Sequence, residues 1–356
     1  MRKVAIIGTV GYPAKYGGFE TLAEHLCDNI SGLGEFEIYI YCSFFKYNKV
    51  ERKIYFKNIN RIFLPISANG PMSLVYDGLS VCHAIFRGCD TLLLLGVSGS
   101  WILPFVRKFY KGKIIVNVDG VESRRSKWSA LAKRLLLILE NWAIQYSDHI
   151  IADNVAIESY IYENYSQRST VISYGGDHFP QEGWIGDLKH KFENYSLALC
   201  RIEPENNVEM ILEAFVKTPS ENLVFVGNWD HSVYAKEMLA RYSDFDNIFL
   251  HPATYDSKEV SALRFGAKFY IHGHSSGGTN PSLVEALFFD CFIAAYNCDF
   301  NRYTLSQQGN YFDDSGALAS IISDPNPLKH DEELKKSYTW RVVCKSYREL
   351  LNDNSN

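Results

Sequence analysis

AKFYIHGHSSGGTNPSLVEAL, residues 267–287, places a hydrophobic strand, a glycine pair and a capped helix in direct succession. Asn280 is a favourable N-cap, and Pro281 suits the first helical position because its missing N–H needs no partner there. The Gly277–Gly278 pair lets the backbone turn tightly and lets a ligand approach it closely. The free amides at the start of such a helix attract anions, especially phosphate. Glu285 could then accept hydrogen bonds from hydroxyls of the phosphate-bearing molecule; the alternative is an ordinary strand–glycine–helix junction.

The composition is that of a globular protein with enough residues for two domains. The chain has 356 residues, of which 47% are hydrophobic and 22% are charged. A net charge of −5 argues against general nucleic-acid binding. No apolar run approaches the ~18 residues that a membrane-spanning helix needs. The eight cysteines form no CxxC pair, which favours reduced cysteines in a cytoplasmic protein, and we expect neither a zinc site nor another metal or cofactor.

Two series of short apolar strands alternate with helical segments. The strands of the first series are VAIIG (4–8), EIYIYC (37–42), TLLLLG (91–96), KIIVNV (113–118) and HIIA (149–152), and its helices are predicted at 19–30, 72–86 and 127–146. The strands of the second series are SLALC, NLVFVG, NIFLH and AKFYIHG, and its helices are predicted near 207–217, 231–242, 256–264 and 281–290. Continuous apolar strands between helices indicate parallel sheets covered on both faces.

The sequence therefore predicts an α/β protein with two doubly wound, Rossmann-like domains that face each other across a cleft. The boundary falls in the polar, aromatic stretch near residues 178–194. We expect the domains at 1–180 and 181–335, with a C-terminal helix at 336–356 that returns to the first domain.

Loops that follow strands are the expected ligand sites of open α/β sheets, because ligands bind beyond the carboxyl ends of the strands. In the first domain GTVGYPAKYGGFETL brings Gly17 and Gly18 to the start of a helix. Its glycine spacing is not GxGxxG, which disfavours a nicotinamide dehydrogenase. A long surface loop is the alternative. Asp119 follows the strand KIIVNV and could act as a general base or stabilise a developing cation; the alternative is a turn-forming Asp.

In the second domain the loop CRIEPENN places Arg201 at the end of a strand. An Arg there could clamp a phosphate through two parallel hydrogen bonds, and an interdomain salt bridge is the alternative. The DxD pattern at Asp244–Asp246 precedes a strand, so it lies at the wrong end of the sheet for metal binding and is interpreted as a solvated loop.

A basic, aromatic stretch lies between Trp101 and Arg134, where nine basic residues face two acidic ones. We single out four of its residues as a candidate patch for the acceptor or a membrane: Arg124, Arg125, Lys127 and Trp128. Such a surface suits an anionic membrane or a lipid diphosphate. The alternative is a solvated helix face, because the region also contains an apolar stripe that could belong to the core: Trp128, Leu131, Leu135, Ile138 and Trp142.

Taken together, these motifs resemble the retaining GT-B glycosyltransferases of family four. HSSGGTNPSLVEAL is similar to their nucleotide-sugar signature, and CRIEPENNVEMILEAF to the Arg-containing loop and helix that open their second domain. GTVGYPAKYGGFETLAEHL resembles the glycine loop of a bacterial subgroup with rhamnosyltransferases of capsule and O-antigen assembly. SYTWRVVCKSYRELL resembles the closing helix, so the resemblance extends over essentially the whole chain.

The resemblance implies roles for individual residues. Glu285 would hold the ribose hydroxyls of the nucleotide, and Arg201 would bind the donor diphosphate. Asp119 falls where many members carry a His near the reacting sugar, so the implied catalytic residues are Asp119, Arg201 and Glu285. The remaining donor-binding residues would be Gly17, Gly18, Asn206, Gly278, Thr279, Asn280 and Pro281.

Two positions depart from the family pattern. Asn206 stands where a Lys commonly partners the Arg, and Gly277 stands where a Glu is frequent. The first change weakens phosphate neutralisation, and the second changes how the hydroxyls of the donor sugar are recognised.

The implied activity is transfer of a sugar with retention from a nucleotide diphosphate donor to a polyprenyl-diphosphate-linked glycan, in O-antigen or capsule synthesis. The subgroup suggests L-rhamnose from dTDP-rhamnose as the donor. The expected location is the cytoplasm, peripherally at the inner leaflet of the membrane. The alternatives are a nucleotide-sugar epimerase or hydrolase of the same fold and a non-catalytic sugar-nucleotide binding protein.

Overall fold

The chain folds into two compact units, each built on a sheet of mainly parallel strands. The computed structural model describes residues 1–15, 17–120, 128–179, 194–324 and 326–353. The first unit comprises Met1–Ser173 together with Trp340–Asn356, and the second comprises Tyr174–Thr339. The second unit therefore begins before the expected residue 181, and the first unit includes the C-terminal segment.

The first unit contains an eight-stranded sheet in the order β3-β4-β2-β1-β5-β6-β7-β8, in which only the short β3 pairs antiparallel to its neighbour. Its strands are β1 Arg2–Ile7, β2 Phe36–Ser43, β3 Tyr55–Phe56, β4 Ile59–Leu64, β5 Thr91–Leu95, β6 Lys113–Asn117, β7 His149–Ala152 and β8 Thr170–Val171. Its helices in the first part of the chain are α1 Gly18–Ile30, α2 Met72–Phe86, α3 Leu103–Val106, α4 Ala130–Tyr146 and α5 Val155–Tyr165.

The second unit contains a six-stranded parallel sheet in the order β11-β10-β9-β12-β13-β14. Its strands are β9 Tyr195–Leu199, β10 Asn222–Gly227, β11 Ile248–Pro252, β12 Ala267–His272, β13 Phe292–Tyr296 and β14 Asn310–Phe312. Its helices are α6 Val208–Lys217, α7 Val233–Tyr242, α8 Ser257–Phe265, α9 Pro281–Ala286, α10 Asp299–Thr304 and α11 Ser315–Ile322. The central strands β9 and β12 are buried almost throughout, because helices cover both faces of the sheet.

The C-terminal helix α12, Trp340–Asn352, packs within the first unit. The Trp340 ring stacks on His25 of α1 at a centroid distance of 4.2 Å. The Arg348 Nε donates to Glu35 at 2.8 Å, and the Tyr347 hydroxyl accepts from Asn117 at 2.8 Å. These contacts attach the end of the chain to α1 and to the end of β6.

The strands predicted from continuous apolar runs are confirmed, and so is the parallel, doubly wound class. Five further strands are not among those predicted from the sequence: β3, β4, β8, β13 and β14. The helix predicted over 281–290 ends at Ala286, because the chain must turn before β13 begins at Phe292. All eight cysteines are free. Among the described residues, no helix combines the length and the hydrophobicity needed to cross a membrane.

The interpretation of Trp128, Leu131, Leu135 and Ile138 as a core stripe is wrong. All four side chains are exposed, and the buried residues of α4 begin only at Leu139. Helical periodicity shows that one side of a helix is apolar, but it does not show what that side contacts.

We expect a pH dependence of stability from Asp77, a carboxyl in α2 that is only 2% exposed. Ser98 donates a hydrogen bond to its Oδ2, Oδ1 has no partner, and burial raises the pKa of Asp77 to about 7. Between pH ~4 and ~7 the folded state holds a proton that the unfolded state has lost, so the free energy of unfolding falls as the pH rises.

Asp77→Asn should remove this slope, which at most amounts to about 1.4 kcal/mol per pH unit. Urea unfolding at several pH values measures it. Glu163→Gln, an exposed carboxylate of the same unit, is the control and should leave the slope in place. An unchanged slope in Asp77→Asn would contradict the assignment.

Candidate functional site

Two loops of the second unit lie side by side because they follow the adjacent strands β9 and β12. The backbone N–H of Ser275 donates to the Glu205 carbonyl at 3.0 Å, and the Ser275 hydroxyl donates to the same oxygen at 2.7 Å. Asn207 Nδ2 donates to the Gly273 carbonyl at 2.8 Å. A Cβ on Gly273 would lie 2.2 Å from the Asn206 carbonyl oxygen, so only glycine permits this close approach. The two segments therefore form one connected loop pair, residues 200–207 and 273–280.

Asn206 connects the two halves of this loop pair through its side-chain amide. Its Nδ2 donates to the Arg201 carbonyl at 2.7 Å, and its Oδ1 lies 2.7 Å from Nδ1 of His274. The residue is 3% exposed. Where the family pattern has a Lys, this chain therefore has a neutral side chain that holds the backbone of Arg201 against the β12 loop.

Arg201 extends from this loop and keeps a half-exposed guanidinium. Its side chain is 44% exposed, and its Nη1 lies 3.6 Å from Oε1 of Glu203. A separation of that length in solvent contributes little stability. Arg201 therefore retains most of its hydrogen-bonding capacity for an anionic group.

The glycine turn and the start of α9 have the local geometry that the sequence predicts. Gly277 has φ 115°, a conformation that favours glycine. Oδ1 of Asn280 accepts from the backbone N–H of Ser282 at 3.0 Å, and Pro281 occupies the first turn. Since α9 spans only six residues, its dipole is smaller than that of the expected ten-residue helix.

Glu285 is buried and forms an ion pair with Arg264 of α8. Nη2 of Arg264 lies 2.5 Å from Oε2 of Glu285 and 3.1 Å from the hydroxyl of Ser282. The Ser282 hydroxyl lies 2.5 Å from that of Tyr270 in β12. Arg264 occupies one acceptor position of Oε2, so Oε1 is the carboxylate oxygen that Arg264 does not contact. That oxygen lies 3.6 Å from Nε2 of His178.

The ion pair of Arg264 and Glu285 is largely excluded from solvent. Arg264 is 2% exposed, its guanidinium lies 4.6 Å from the ring centre of Phe179, and its Nε and Nη1 have no hydrogen-bond partner. Burial raises the pKa of Glu285, and the adjacent Arg264 opposes that shift. Neither Arg264 nor His178 is identified by the sequence patterns, since contacts between α8, α9 and the 178–179 segment have no local periodicity.

In the first unit the glycine loop is arranged around Glu20. Gly17 has φ 129°, and a Cβ there would lie 2.0 Å from Oε2 of Glu20. Oε1 of Glu20 accepts from the backbone N–H of Val10 at 3.0 Å, and the Thr21 hydroxyl donates to the Gly17 carbonyl at 3.0 Å. Burial raises the pKa of Glu20. The backbone conformation at position 17 therefore favours glycine, and a Cβ there would also have to displace the end of the Glu20 side chain. Gly18 begins α1.

Asp119 lies just beyond β6, in a left-handed conformation with φ 61°. Its backbone N–H donates to Oδ1 of Asn117 at 3.1 Å, and Nδ2 of Asn117 donates to the Tyr347 hydroxyl at 2.8 Å. Asn117 and Tyr347 are buried. The C-terminal helix therefore helps to position the turn that carries Asp119.

The predicted residues thus form two groups, one in each unit. The second unit brings together Arg201, Asn206, Gly278, Thr279, Asn280, Pro281 and Glu285, and the first unit places Gly17, Gly18 and Asp119 at the carboxyl edge of its sheet. Arg124, Arg125 and Lys127 lie outside the described residues, and Trp128 is exposed. Asp244–Asp246 precedes β11, as expected. Among the described residues no His, Cys, Asp and Glu cluster could hold a metal ion.

We expect Arg264→Met to destabilise the second unit by roughly 3–5 kcal/mol, because it leaves a buried carboxylate without its cation. The double variant Arg264→Met/Glu285→Gln should recover much of that loss. Urea unfolding measures both. The control is Arg241→Met, which breaks the exposed pair with Glu209 and should change stability by less than about 1 kcal/mol. If Arg264→Met and Arg241→Met lower the free energy of unfolding by the same amount, the buried pair is not stabilising.

Asn206→Ala should weaken nucleoside diphosphate binding as well as stability, because it disconnects Arg201 from the β12 loop. Each lost hydrogen bond is worth about 0.5–1.5 kcal/mol. Asn310→Ala is the matched control, since the side-chain amide of Asn310 also connects two segments of the second unit, by donating to the carbonyls of Ile293 and Leu328. Calorimetric titration of both variants with UDP and dTDP measures whether Asn206→Ala weakens nucleotide binding more than Asn310→Ala does. Unchanged affinity in Asn206→Ala would show that Asn206 is only structural.

Comparison with known protein families matches residues 1–177 to a domain of unknown function, DUF1972. The match covers the part of the chain that contains the glycine loop and Asp119. A search among curated proteins finds no relative of this sequence.

Solved structures share the architecture over nearly the full length. Sucrose-phosphate synthase from Thermosynechococcus elongatus is 15% identical, with 99% of each chain covered and a TM-score of 0.78. HepE from Anabaena, solved in complex with UDP-glucose, is 12% identical, with the same coverage and a TM-score of 0.74. A glycosyltransferase from Rickettsia africae is 15% identical, again with 99% of each chain covered, at a TM-score of 0.69. The chain therefore has the GT-B fold.

Proposed function

We propose that this protein is a glycosyltransferase that uses a nucleotide diphosphate sugar. The observation that carries the proposal is the connected loop pair of the second unit, which places Arg201, the Gly277–Pro281 turn and Glu285 at the ends of two adjacent strands. The GT-B fold over the whole chain supports it.

Each part of the loop pair matches one part of such a donor. The guanidinium of Arg201 suits the diphosphate, because two parallel N–H groups can bind phosphate oxygens. Backbone amides of the glycine turn would add donors to the same oxygens. Oε1 of Glu285 would accept from a ribose hydroxyl, while Arg264 holds the other carboxylate oxygen. Gly17 and Gly18 are proposed to approach the donor phosphates.

The proposed reaction forms a bond between the acceptor oxygen and C1 of the sugar and breaks the bond from C1 to the diphosphate oxygen. The proton of the acceptor hydroxyl passes to the departing diphosphate, and the sugar passes through an oxocarbenium-like state. Arg201 stabilises the charge that develops on the leaving group. Asp119 is proposed to orient the reacting sugar or stabilise its positive charge. Transfer with retention of configuration is part of the proposal.

For the donor we propose dTDP-rhamnose, on the resemblance of the glycine loop to rhamnosyltransferases of capsule and O-antigen assembly. UDP-glucose is the main rival, because the structurally similar HepE was solved with it. Gly277 supports a donor other than the usual hexoses, since it lacks the carboxylate that family four members commonly present to the sugar.

For the acceptor we propose a polyprenyl-diphosphate-linked glycan in cell-surface polysaccharide synthesis, used at the cytoplasmic face of the membrane. The basic and aromatic composition of residues 101–134 supports an anionic, lipid-borne acceptor. No metal or other cofactor is proposed, because Arg201 and backbone amides can neutralise the diphosphate.

Thermal denaturation with a panel of nucleotide sugars tests the donor site. The panel contains dTDP-rhamnose, UDP-glucose, UDP-galactose and GDP-mannose with the corresponding nucleoside diphosphates. At about 100-fold excess over Kd, the right donor should raise Tm by roughly 5–10 °C. Glu285→Gln, with its fold checked by circular dichroism, should reduce the shift. No shift with any nucleotide would contradict the proposal.

Measuring turnover with and without an acceptor distinguishes a glycosyltransferase from a hydrolase or epimerase and from a binding protein. A glycosyltransferase releases nucleoside diphosphate only with an acceptor, whereas a hydrolase or epimerase acts on the donor alone. A binding protein shows the thermal shift and no turnover in either case. Asp119→Asn should keep the thermal shift and lose transfer to acceptor lipids from a membrane extract.

A further inference from the structure

The helix α2 exposes an unbroken apolar stripe on the first unit. Its members are spaced alternately three and four residues apart, and all are exposed: Met72, Val75, Leu79, Cys82 and Phe86. Phe86 is 87% exposed. The only Asp, Glu, Lys or Arg in this helix is Asp77, which is buried. Stripes of this spacing normally face a protein core, but this one faces solvent.

The helix α4 carries a second stripe with the same spacing. Trp128 just before the helix, Leu131, Leu135 and Ile138 are exposed, and Leu131 reaches 78%. The buried residues of α4 are confined to its second half, from Leu139 onward. The leucines in the first half of α4 are therefore not buried in the protein core.

Both helices lie on the same face of the sheet. They belong to connections that run from β4 to β5 and from β6 to β7, in the same direction across the sheet, and right-handed crossovers place such connections on one face. The turn Ser98–Ile102 joins them, because Trp101 Nε1 donates to the Leu74 carbonyl at 2.8 Å and the Ser100 hydroxyl donates to the Leu139 carbonyl at 2.5 Å. Beside this turn the exposed Phe105 and Phe109 extend the apolar area.

We call this surface the apolar face; its exposed members are the α2 stripe, the α4 stripe, Phe105 and Phe109. The charged residues of the segments 101–111 and 128–139, which contribute to this face, are all basic. Lys108, Lys111 and Arg134 are exposed, and Lys133 is partly exposed. Neither 101–111 nor 128–139 contains an Asp or Glu, although the whole chain has a net charge of −5. Apolar side chains flanked by Lys and Arg are typical of helices that lie in a membrane interface.

We propose that the apolar face is a docking surface for an anionic lipid membrane, and that α2 and the first half of α4 lie in its headgroup region. Charge complementarity favours this partner over a second copy of the chain. Symmetric self-association would bring the basic residues of two copies together, whereas anionic headgroups neutralise them.

The position of the apolar face fits the proposed acceptor. Helices of a parallel α/β sheet begin at the carboxyl edge of the strands, so Met72 and Leu131 lie toward the edge that carries Asp119 and Gly17. The link to the acceptor rests on the proposed function. If the apolar face lies on the membrane, the nearby carboxyl edge of the sheet is close to the bilayer, where the lipid of the acceptor is embedded. Membrane binding itself requires no donor and can be tested separately.

Cosedimentation with phosphatidylcholine vesicles, with and without phosphatidylglycerol, tests the inference. The wild type should bind the phosphatidylglycerol vesicles and release them at high salt. The triple variant Leu79→Gln/Phe86→Gln/Leu131→Gln should lose most binding. Its matched control is Phe45→Gln/Val50→Gln/Val233→Gln, which changes three exposed apolar side chains elsewhere and should bind as the wild type does. Lys108→Gln/Lys111→Gln/Arg134→Gln should bind about 100-fold more weakly.

Two results would overturn the inference. One is equal binding of the wild type to both vesicle types, or no difference between the apolar triple variant and its control. The other is a concentration-dependent dimer, seen by sedimentation equilibrium, that the apolar triple variant abolishes while vesicles remain unbound. Nucleotide thermal shifts without vesicles are measured on the same variants, so loss of the donor site is recognised independently of loss of membrane binding.

Discussion

The buried pair of Arg264 and Glu285 is the constraint on which the arrangement of the second unit's loops depends. Two charges removed from water are stable only when each compensates the other, so α8 and α9 must keep this separation. Through Ser282 the same guanidinium reaches Tyr270 of β12, which links the helix start to the central strand. Glu285 is consequently held in one orientation, with Oε1 on the side that Arg264 does not contact, and a preorganised acceptor loses less entropy on binding.

The neutral Asn206 changes how the loop pair achieves its rigidity. A Lys at that position would add a cation, but an ammonium only donates and could not accept from His274 as well as donate to the Arg201 carbonyl. Asn206 does both in a buried position. The chain therefore has less positive charge at the expected diphosphate site and a better fixed Arg201 backbone. Because a fixed donor needs no reorganisation during the reaction, rigidity can partly replace charge there.

The fold and the local geometry of the turn and helix start at residues 277–282 could be predicted from sequence because their signals are local. Continuous apolar strands, the Asn280 cap and the Gly277 turn each depend on neighbours within a few residues. The ion pair could not be predicted, since Arg264 lies 21 residues from Glu285 in the sequence. In the pattern of its helix, Arg264 is not distinguished from the other polar residues. Strand β14 has only three residues, NYF, too few for a recognisable apolar run, and it is defined by its pairing with β13. Strand β13, FIAAY, is apolar throughout, and the apolar-run criterion could have identified it.

The exposed stripes of α2 and α4 show the limit of periodicity most directly. Apolar residues spaced three and four apart indicate that one side of a helix is removed from water. In an α/β domain that side usually packs on the sheet. Here α2 already buries one side, which includes Tyr76, Val81 and Ala84, so its outer stripe is a second apolar side. A helix that is apolar on two sides needs two partners. The protein interior supplies one of them, and the proposed anionic membrane, whose headgroups would meet Lys108, Lys111 and Arg134, would supply the other.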